Sequence, residues 1–237
     1  MNRGLPAAAA VATGVLFLGA CGSAPDPRAP RHAFTSADQR AAKLVDVQRA
    51  DVPATYSPHG SQKTGARQCA PDLSDLTLTG ADLSKPFIAS DALGYVLGEV
   101  DVYRSPEQAT AAFARVTGET RRRCLLQIAR RALAQYQAGR VRIAPLPLPV
   151  GIPVGGLVAR RVAESWRDSG KAQGQSTDDV YLLFGRTFVI VSFWHYGGAF
   201  PAAAEARVIA AVAQRAHRVS TPPSARTRPG GNTSRGE

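Results

Sequence analysis

The segment DDVYLLFGRTFVIVSFWHY, residues 178–196, decides the fold predicted for this chain. Two apolar stretches flank Gly185-Arg186, and a two-residue turn in which glycine supplies a positive φ is typical of a β-hairpin. This turn pairs Phe184 with Thr187 and thereby sets the register and both faces of the hairpin. One face is wholly apolar and suited to carrying helices: Val180, Leu182, Phe184, Val189, Val191 and Phe193.

The opposite face of the hairpin combines aromatic and polar side chains. Asp179 lies opposite Ser192 on this face, near the end where the preceding predicted strand also arrives. An aromatic concavity with a few polar groups is typical of small-molecule sites. The predicted ligand-binding residues are Trp166, Asp179, Tyr181, Trp194 and Tyr196.

An alternative interpretation makes the same face part of the core. The connection at 144–156 is apolar but broken by prolines, and such a segment needs a surface to pack on. If it folds back, it covers the aromatic face with Leu146, Leu148, Val150 and Ile152. His195 points to the other side of its strand, where a structural role is expected.

Segments on either side of the hairpin complete an α+β pattern. Ser36-Ala37-Asp38-Gln39 and Ser105-Pro106-Glu107-Gln108 have capping-box spacing and predict helix starts. A further helix should follow Gly118, and Pro201 opens a last one. Alternation predicts strands at 93–103 and 157–167. We therefore expect a single α+β domain, an antiparallel sheet with helices packed mainly on one face.

The amino-terminal residues predict a bacterial lipoprotein. Arg3 precedes an apolar run, and Leu18-Gly19-Ala20-Cys21 has the small residues of a processing site. The run is shorter than the roughly 20 residues that span a bilayer, which argues against a transmembrane helix. We expect a signal peptide at 1–20, diacylation of Cys21 and a Pro-rich tether at 21–35 at the outer face of the cytoplasmic membrane. An ordinary cleaved signal peptide with a chance cysteine is the alternative.

Two further cysteines remain once Cys21 is lipidated. These are Cys69 and Cys124. An even number of cysteines in an oxidising compartment favours pairing, so we expect one disulfide between them. Two unpaired buried thiols are the alternative, because free cysteines commonly act as small core residues.

The chain is strongly basic, with a net charge of +11 over 237 residues. Such a charge favours attraction to anionic lipid headgroups. A cluster around the helix after Gly118 could hold an anionic headgroup or polymer, and an ordinary solvated helical face is the alternative. Its members are Arg121, Arg122, Arg123, Arg130 and Arg131.

Motifs for several classes of function are missing from the sequence. It has no helix-turn-helix, zinc-finger or aromatic RNA-binding signature, so no nucleic-acid partner is expected. It also has no HExxH, Gly-x-Ser-x-Gly, Walker or dinucleotide motif, so we predict no catalytic residues, metal ligands or cofactor.

The order of several short motifs carries a family resemblance. Asp51-Val52-Pro53, Cys69, the strand end at 100–105, Cys124-Leu125 and the strand at 189–193 follow the lipoprotein signal. Over about residues 36–219 this succession resembles actinobacterial lipoproteins akin to the extracellular sensor domain of mycobacterial receptor Ser/Thr kinases. The resemblance implies a sensor-like domain with a ligand cleft. That family is also associated with a second disulfide, for which this chain has no cysteines, and this sequence contains no kinase domain.

These observations together predict a lipid-anchored, non-enzymatic binding or sensor-like domain of the cell envelope, at 36–219, with a disordered tail at 220–237. Its ligand would be a small molecule or a cell-envelope component. The alternative is a cell-envelope enzyme of unidentified reaction. An enzyme should show two or more convergent titratable groups in a pocket, whereas a binding module should show an aromatic cleft with few.

Replacing Cys21 by serine should release the protein from the membrane, because two acyl chains anchor stably and an unacylated chain lacks them. In detergent phase partitioning, we expect the wild type in the detergent phase and Cys21→Ser in the aqueous phase. Equal recovery of both proteins in the aqueous phase would contradict lipidation.

Overall fold

A computed structural model describes residues 33–60, 76–148, 151 and 154–220. The helices in this part of the chain are α1 (Ser36–Val45), α2 (Pro106–Thr117), α3 (Glu119–Leu133) and α4 (Ala202–Ser220). The strands are β1 (Tyr56–Pro58), β2 (Leu78–Leu83), β3 (Phe87–Ala89), β4 (Gly94–Tyr103), β5 (Gln137–Pro145), β6 (Gly156–Asp168), β7 (Lys171–Phe184) and β8 (Thr187–Tyr196).

These strands form one antiparallel sheet with the β7–β8 hairpin near its centre. The order is β1-β3-β4-β8-β7-β6-β5, and β2 pairs with β4. Phe184 pairs with Thr187 and Asp179 with Ser192, so the predicted register is confirmed. Gly185 has a φ of 53°, in the left-handed region that a two-residue hairpin turn favours.

The first face of the sheet carries the larger core. Helices α1 and α4 pack on it through Ala42, Val45, Val208 and Val212. The apolar side chains predicted for this face are all buried there: Val180, Leu182, Phe184, Val189, Val191 and Phe193. Full burial of one such side chain contributes about 1.5–3 kcal/mol, so this face holds α1 and α4 firmly.

Helix α2 packs on the second face of the sheet. It begins with the predicted capping box. The Ser105 side chain accepts a hydrogen bond from the backbone N–H of Gln108, and the Gln108 side chain accepts one from the backbone N–H of Ser105. Its buried alanines contact Tyr181, Leu183 and Phe188. The α+β class with a single antiparallel sheet is confirmed. Helices α1 and α4 share one face as expected, while α2 covers part of the other because Tyr181 and Phe188 offer it an apolar surface.

One of the four residues named in the alternative interpretation packs on the first face and not on the aromatic face. Leu148 contacts the core of the first face, whereas the buried part of the second face is covered by α2. Val150 and Ile152 lie outside the described residues, as do the predicted signal peptide and most of the tether and tail. Among the described helices, none is long and apolar enough to cross a membrane.

A buried charged cluster joins α4 to the first face. Asp178 is 0% exposed and accepts two hydrogen bonds of 2.6 Å from the Arg161 guanidinium. Glu205 of α4 is 2% exposed, and its Oε1 has no hydrogen-bond partner among the described residues. Burial and the nearby Asp178 raise the pKa of Glu205 to about 7, although Arg161 opposes the rise.

Glu205→Gln should stabilise the protein at pH 8 and have little effect at pH 5. The folded protein holds a proton on Glu205 up to about pH 7, whereas in the unfolded chain its pKa is near 4.5. Wild-type stability therefore falls as the pH rises through this window, by roughly 3 kcal/mol at most. Denaturant unfolding of both proteins at the two pH values measures the gain. A gain that does not change with pH would contradict the raised pKa.

Candidate functional site

The second face presents aromatic side chains beyond the area covered by α2. Strands β4 and β8 are neighbours, and Tyr95 pairs with Trp194. The two rings are 5.6 Å apart between centroids and nearly parallel, at 15°. Both side chains are partly buried. Each ring therefore supports the other and limits its motion.

A second aromatic group lies towards the end of the same face. The Trp166 ring of β6 is 6.2 Å from the Tyr196 ring and 5.4 Å from the Tyr136 ring, which follows α3. The Tyr196 hydroxyl donates a hydrogen bond of 2.6 Å to Oε1 of Gln173. We call Tyr95, Tyr136, Trp166, Trp194 and Tyr196 the aromatic surface.

Polar side chains lie next to these rings. Gln175 pairs with Tyr196 across β7 and β8, and its Nε2 donates a hydrogen bond of 2.7 Å to Oε2 of Glu164. Burial raises the pKa of the Glu164 carboxyl, although this hydrogen bond opposes the rise. Amide and carboxyl groups beside aromatic rings can orient a bound molecule through hydrogen bonds.

Asp179 and Tyr181 lie deeper on the same face. Oδ1 of Asp179 accepts a hydrogen bond of 2.6 Å from Ser192, and Oδ2 accepts one of 3.4 Å from the Tyr181 hydroxyl. Burial raises the pKa of Asp179, against the effects of Ser192, Arg121 and Tyr181. Tyr181 is only 1% exposed and lies under α2.

Asp179 also connects this polar group with the aromatic surface. Burial, together with the charge of Asp179, raises the pKa of Tyr95 to about 12. On the other side, the Arg160 guanidinium lies 5.9 Å from the centroid of the Tyr181 ring. The Tyr95 hydroxyl therefore stays protonated at neutral pH and can act as a hydrogen-bond donor.

The structure separates the five predicted ligand-binding residues into two sets. Trp166, Trp194 and Tyr196 belong to the aromatic surface, whereas Tyr181 is core and hydrogen-bonded to Asp179. Sequence reasoning missed Tyr95 and Tyr136. The alternation in β4 could have shown which face Tyr95 occupies, but only the pairing of β4 with β8 brings it to Trp194.

The predicted cysteine roles remain predictions. Cys21 and Cys69 lie outside the described residues. Cys124 lies in α3, and its bond to Cys69 stays a prediction. Across the described ranges, no group of three or more His, Cys, Asp or Glu side chains is placed to hold a metal ion.

Comparison with solved structures finds a distant structural neighbour of this chain. No protein-family model and no curated protein matches the chain. Its structure is similar to the extracellular domain of PknH from Mycobacterium tuberculosis, with a TM-score of 0.42 and 11% identity. The match covers 79% of this chain and 100% of that one. A similarity this distant does not bear on the function of the chain.

Tyr181→Ala should destabilise the protein more than Trp194→Ala. Truncating a buried aromatic side chain costs about 3–5 kcal/mol, and Tyr181 is fully packed beneath α2. Trp194 is only partly buried, so its removal leaves less of a cavity. Chemical denaturation of both variants gives the two losses. An equal or larger loss for Trp194→Ala would make this ring part of the core and not of a binding surface.

Proposed function

We propose that this protein is a lipid-anchored, extracytoplasmic and non-enzymatic binding domain, and that its ligand contacts the aromatic surface. The observation that carries the proposal is the presence on one face of two groups of mutually supported rings, with amide and carboxyl side chains beside them. Tryptophan and tyrosine offer large contact areas with few rotatable bonds. Rings already held by stacking and hydrogen bonding lose little further entropy when a ligand binds.

The chemistry of the surface points to a ligand with a flat apolar face and hydrogen-bonding groups. The rings supply apolar contact area. Gln173, Gln175 and Glu164 offer both donors and acceptors at the edge of the rings. A hydroxyl-rich or amide-bearing component of the cell envelope has both properties.

The spacing of the carboxyl groups favours binding over catalysis. Asp179 of β7 pairs with Arg160, and Gln175 pairs with Glu164 of β6, so the backbone positions of Asp179 and Glu164 are offset by four residues along the strands. Four residues of a strand span about 13 Å. Paired catalytic carboxylates, as in glycoside hydrolysis, lie roughly 5–9.5 Å apart. Each carboxyl group is also engaged by a neighbouring side chain, Ser192 or Gln175.

The extracytoplasmic location rests on the processing site that ends at Cys21. From Cys21 to the start of α1 at Ser36, an extended chain could reach at most about 50 Å. A domain on such a tether remains within reach of the membrane surface and of the cell-wall components near it. The proposed ligand class and the proposed location therefore agree.

The two tryptophans of the chain both lie on the aromatic surface, so tryptophan fluorescence reports on binding at this surface. We expect mass spectrometry to find a small molecule carried through native purification of the wild type. Adding that compound back to ligand-free protein should change the tryptophan emission. Trp194→Ala should bind it at least about tenfold more weakly, because a stacked ring contributes about 1.4 kcal/mol or more.

Leu44→Ala provides a matched control, because Leu44 is a large exposed apolar side chain on α1, away from the aromatic surface. It should retain the compound as the wild type does. Retention by Trp194→Ala, or an emission spectrum that the compound leaves unchanged, would contradict binding at the aromatic surface. Chemical conversion of the compound by the purified protein would favour the enzyme alternative.

A further inference from the structure

A groove with a volume of about 540 Å³ lies between the end of α3 and the edge strand β5. Arg130 faces it from the helix and Arg140 from the strand. Leu133, Tyr136 and Val141 provide apolar lining. A smaller depression of about 360 Å³ continues along α3 and is lined by Arg123 and Arg131 as well as Arg130. This surface, which we call the α3–β5 groove, therefore combines positive charge with apolar contacts.

Arg130, Arg131 and Arg140 of the groove differ from the arginines at the start of α3, of which Arg123 also lines the depression along the helix. Arg122 and Arg123 form ion pairs with Glu119, at 2.6 and 3.2 Å. Arg130, Arg131 and Arg140 are exposed, and within the described part of the chain none of them has an ion pair. No acidic side chain lines the groove. The charges of Arg130, Arg131 and Arg140 are therefore not balanced by an acidic side chain within the described part of the chain.

The helix dipole accounts for only part of this arrangement. Arg130 and Arg131 belong to the last turn of α3, where the dipole favours cations. Arg140 belongs to a different element and gains nothing from that dipole. Two guanidinium groups facing one groove repel each other, and an anion bound between them would relieve the repulsion.

We propose that the α3–β5 groove binds the phosphate of an anionic phospholipid, so that this edge of the domain rests on the membrane. A guanidinium can donate two parallel hydrogen bonds to a phosphate. The apolar lining suits the glycerol and upper acyl region that accompany a headgroup. The first four residues of β5, 137–140, are all exposed, so the edge is accessible to a flat surface. The net charge of +11 adds long-range attraction to the same surface.

The groove adjoins the aromatic surface through one shared residue. Tyr136 lines the groove, and its ring lies 5.4 Å from the ring of Trp166. Headgroup binding should therefore alter Trp166 emission. The proposal does not depend on the ligand of the aromatic surface, and it can be tested on an unlipidated chain.

The test measures binding of the full unlipidated chain, with Cys21→Ser, to phosphatidylcholine vesicles with and without phosphatidylglycerol. The ratio of the two binding constants isolates the anionic contribution, because the apolar amino-terminal run meets both vesicles equally. Each basic residue near an anionic surface is worth about fivefold in affinity. Arg130→Gln with Arg140→Gln should therefore lower the ratio about 25-fold, and each single substitution about fivefold.

Arg207→Gln with Arg218→Gln is the matched control. These two exposed arginines lie on α4, which packs on the other face of the sheet, and the net charge changes equally. We expect the control to keep the ratio within about twofold of the wild type, because its residues lie away from the membrane. If both double variants lower the ratio of binding constants equally, net charge alone explains the change. If the Arg130→Gln, Arg140→Gln variant leaves the ratio unchanged, headgroup binding in the groove is excluded. Loss of binding to soluble polyphosphate without loss of binding to vesicles would also overturn the proposal.

Discussion

The register of the β7–β8 hairpin is the constraint on which the rest of the structure depends. Neighbouring aspartates show what it decides: Asp178 faces α4 and binds Arg161, while Asp179 faces the other side and accepts a hydrogen bond from Ser192. A shift of one residue would exchange these faces, because side chains alternate along a strand. It would bury Asp179 beneath α4 and expose the valines that hold the first core. The turn at Gly185 prevents this shift by fixing Phe184 opposite Thr187.

Helices α1 and α4 close the first face tightly. A Cβ at Gly98 of β4 would clash with Oδ1 of Asp46, so only glycine allows the chain after α1 to come this close. Arg215 of α4 then binds Asp51 and the backbone carbonyls of Val45 and Asp46. The Asp51-Val52-Pro53 motif thus has a structural role in joining α4 to the end of α1.

The second face is different because its helices cover it unevenly. Helix α2 buries Tyr181 and Phe188, whereas α3 lies towards β5. The aromatic surface and the α3–β5 groove are the areas that this arrangement leaves accessible. Tyr136 belongs to both, since it follows α3 and contacts Trp166. A domain tethered close to a membrane could in this way hold its basic edge against the headgroups while its aromatic surface remains open to a ligand.

The sequence by itself determined the features that depend on residues close together in the chain. The hairpin register, the capping box at Ser105 and the α+β class follow from turn chemistry and from short-range alternation, and all three agree with the structure. The lipid anchor and the Cys69–Cys124 bond are also sequence predictions, which the described residues leave untested. Only the tertiary structure decided that β4 lies beside β8, that α2 covers Tyr181 and that Leu148 packs on the first face. Strand order and the choice of face for a helix depend on how the whole chain buries its apolar surface, and no local pattern encodes that balance.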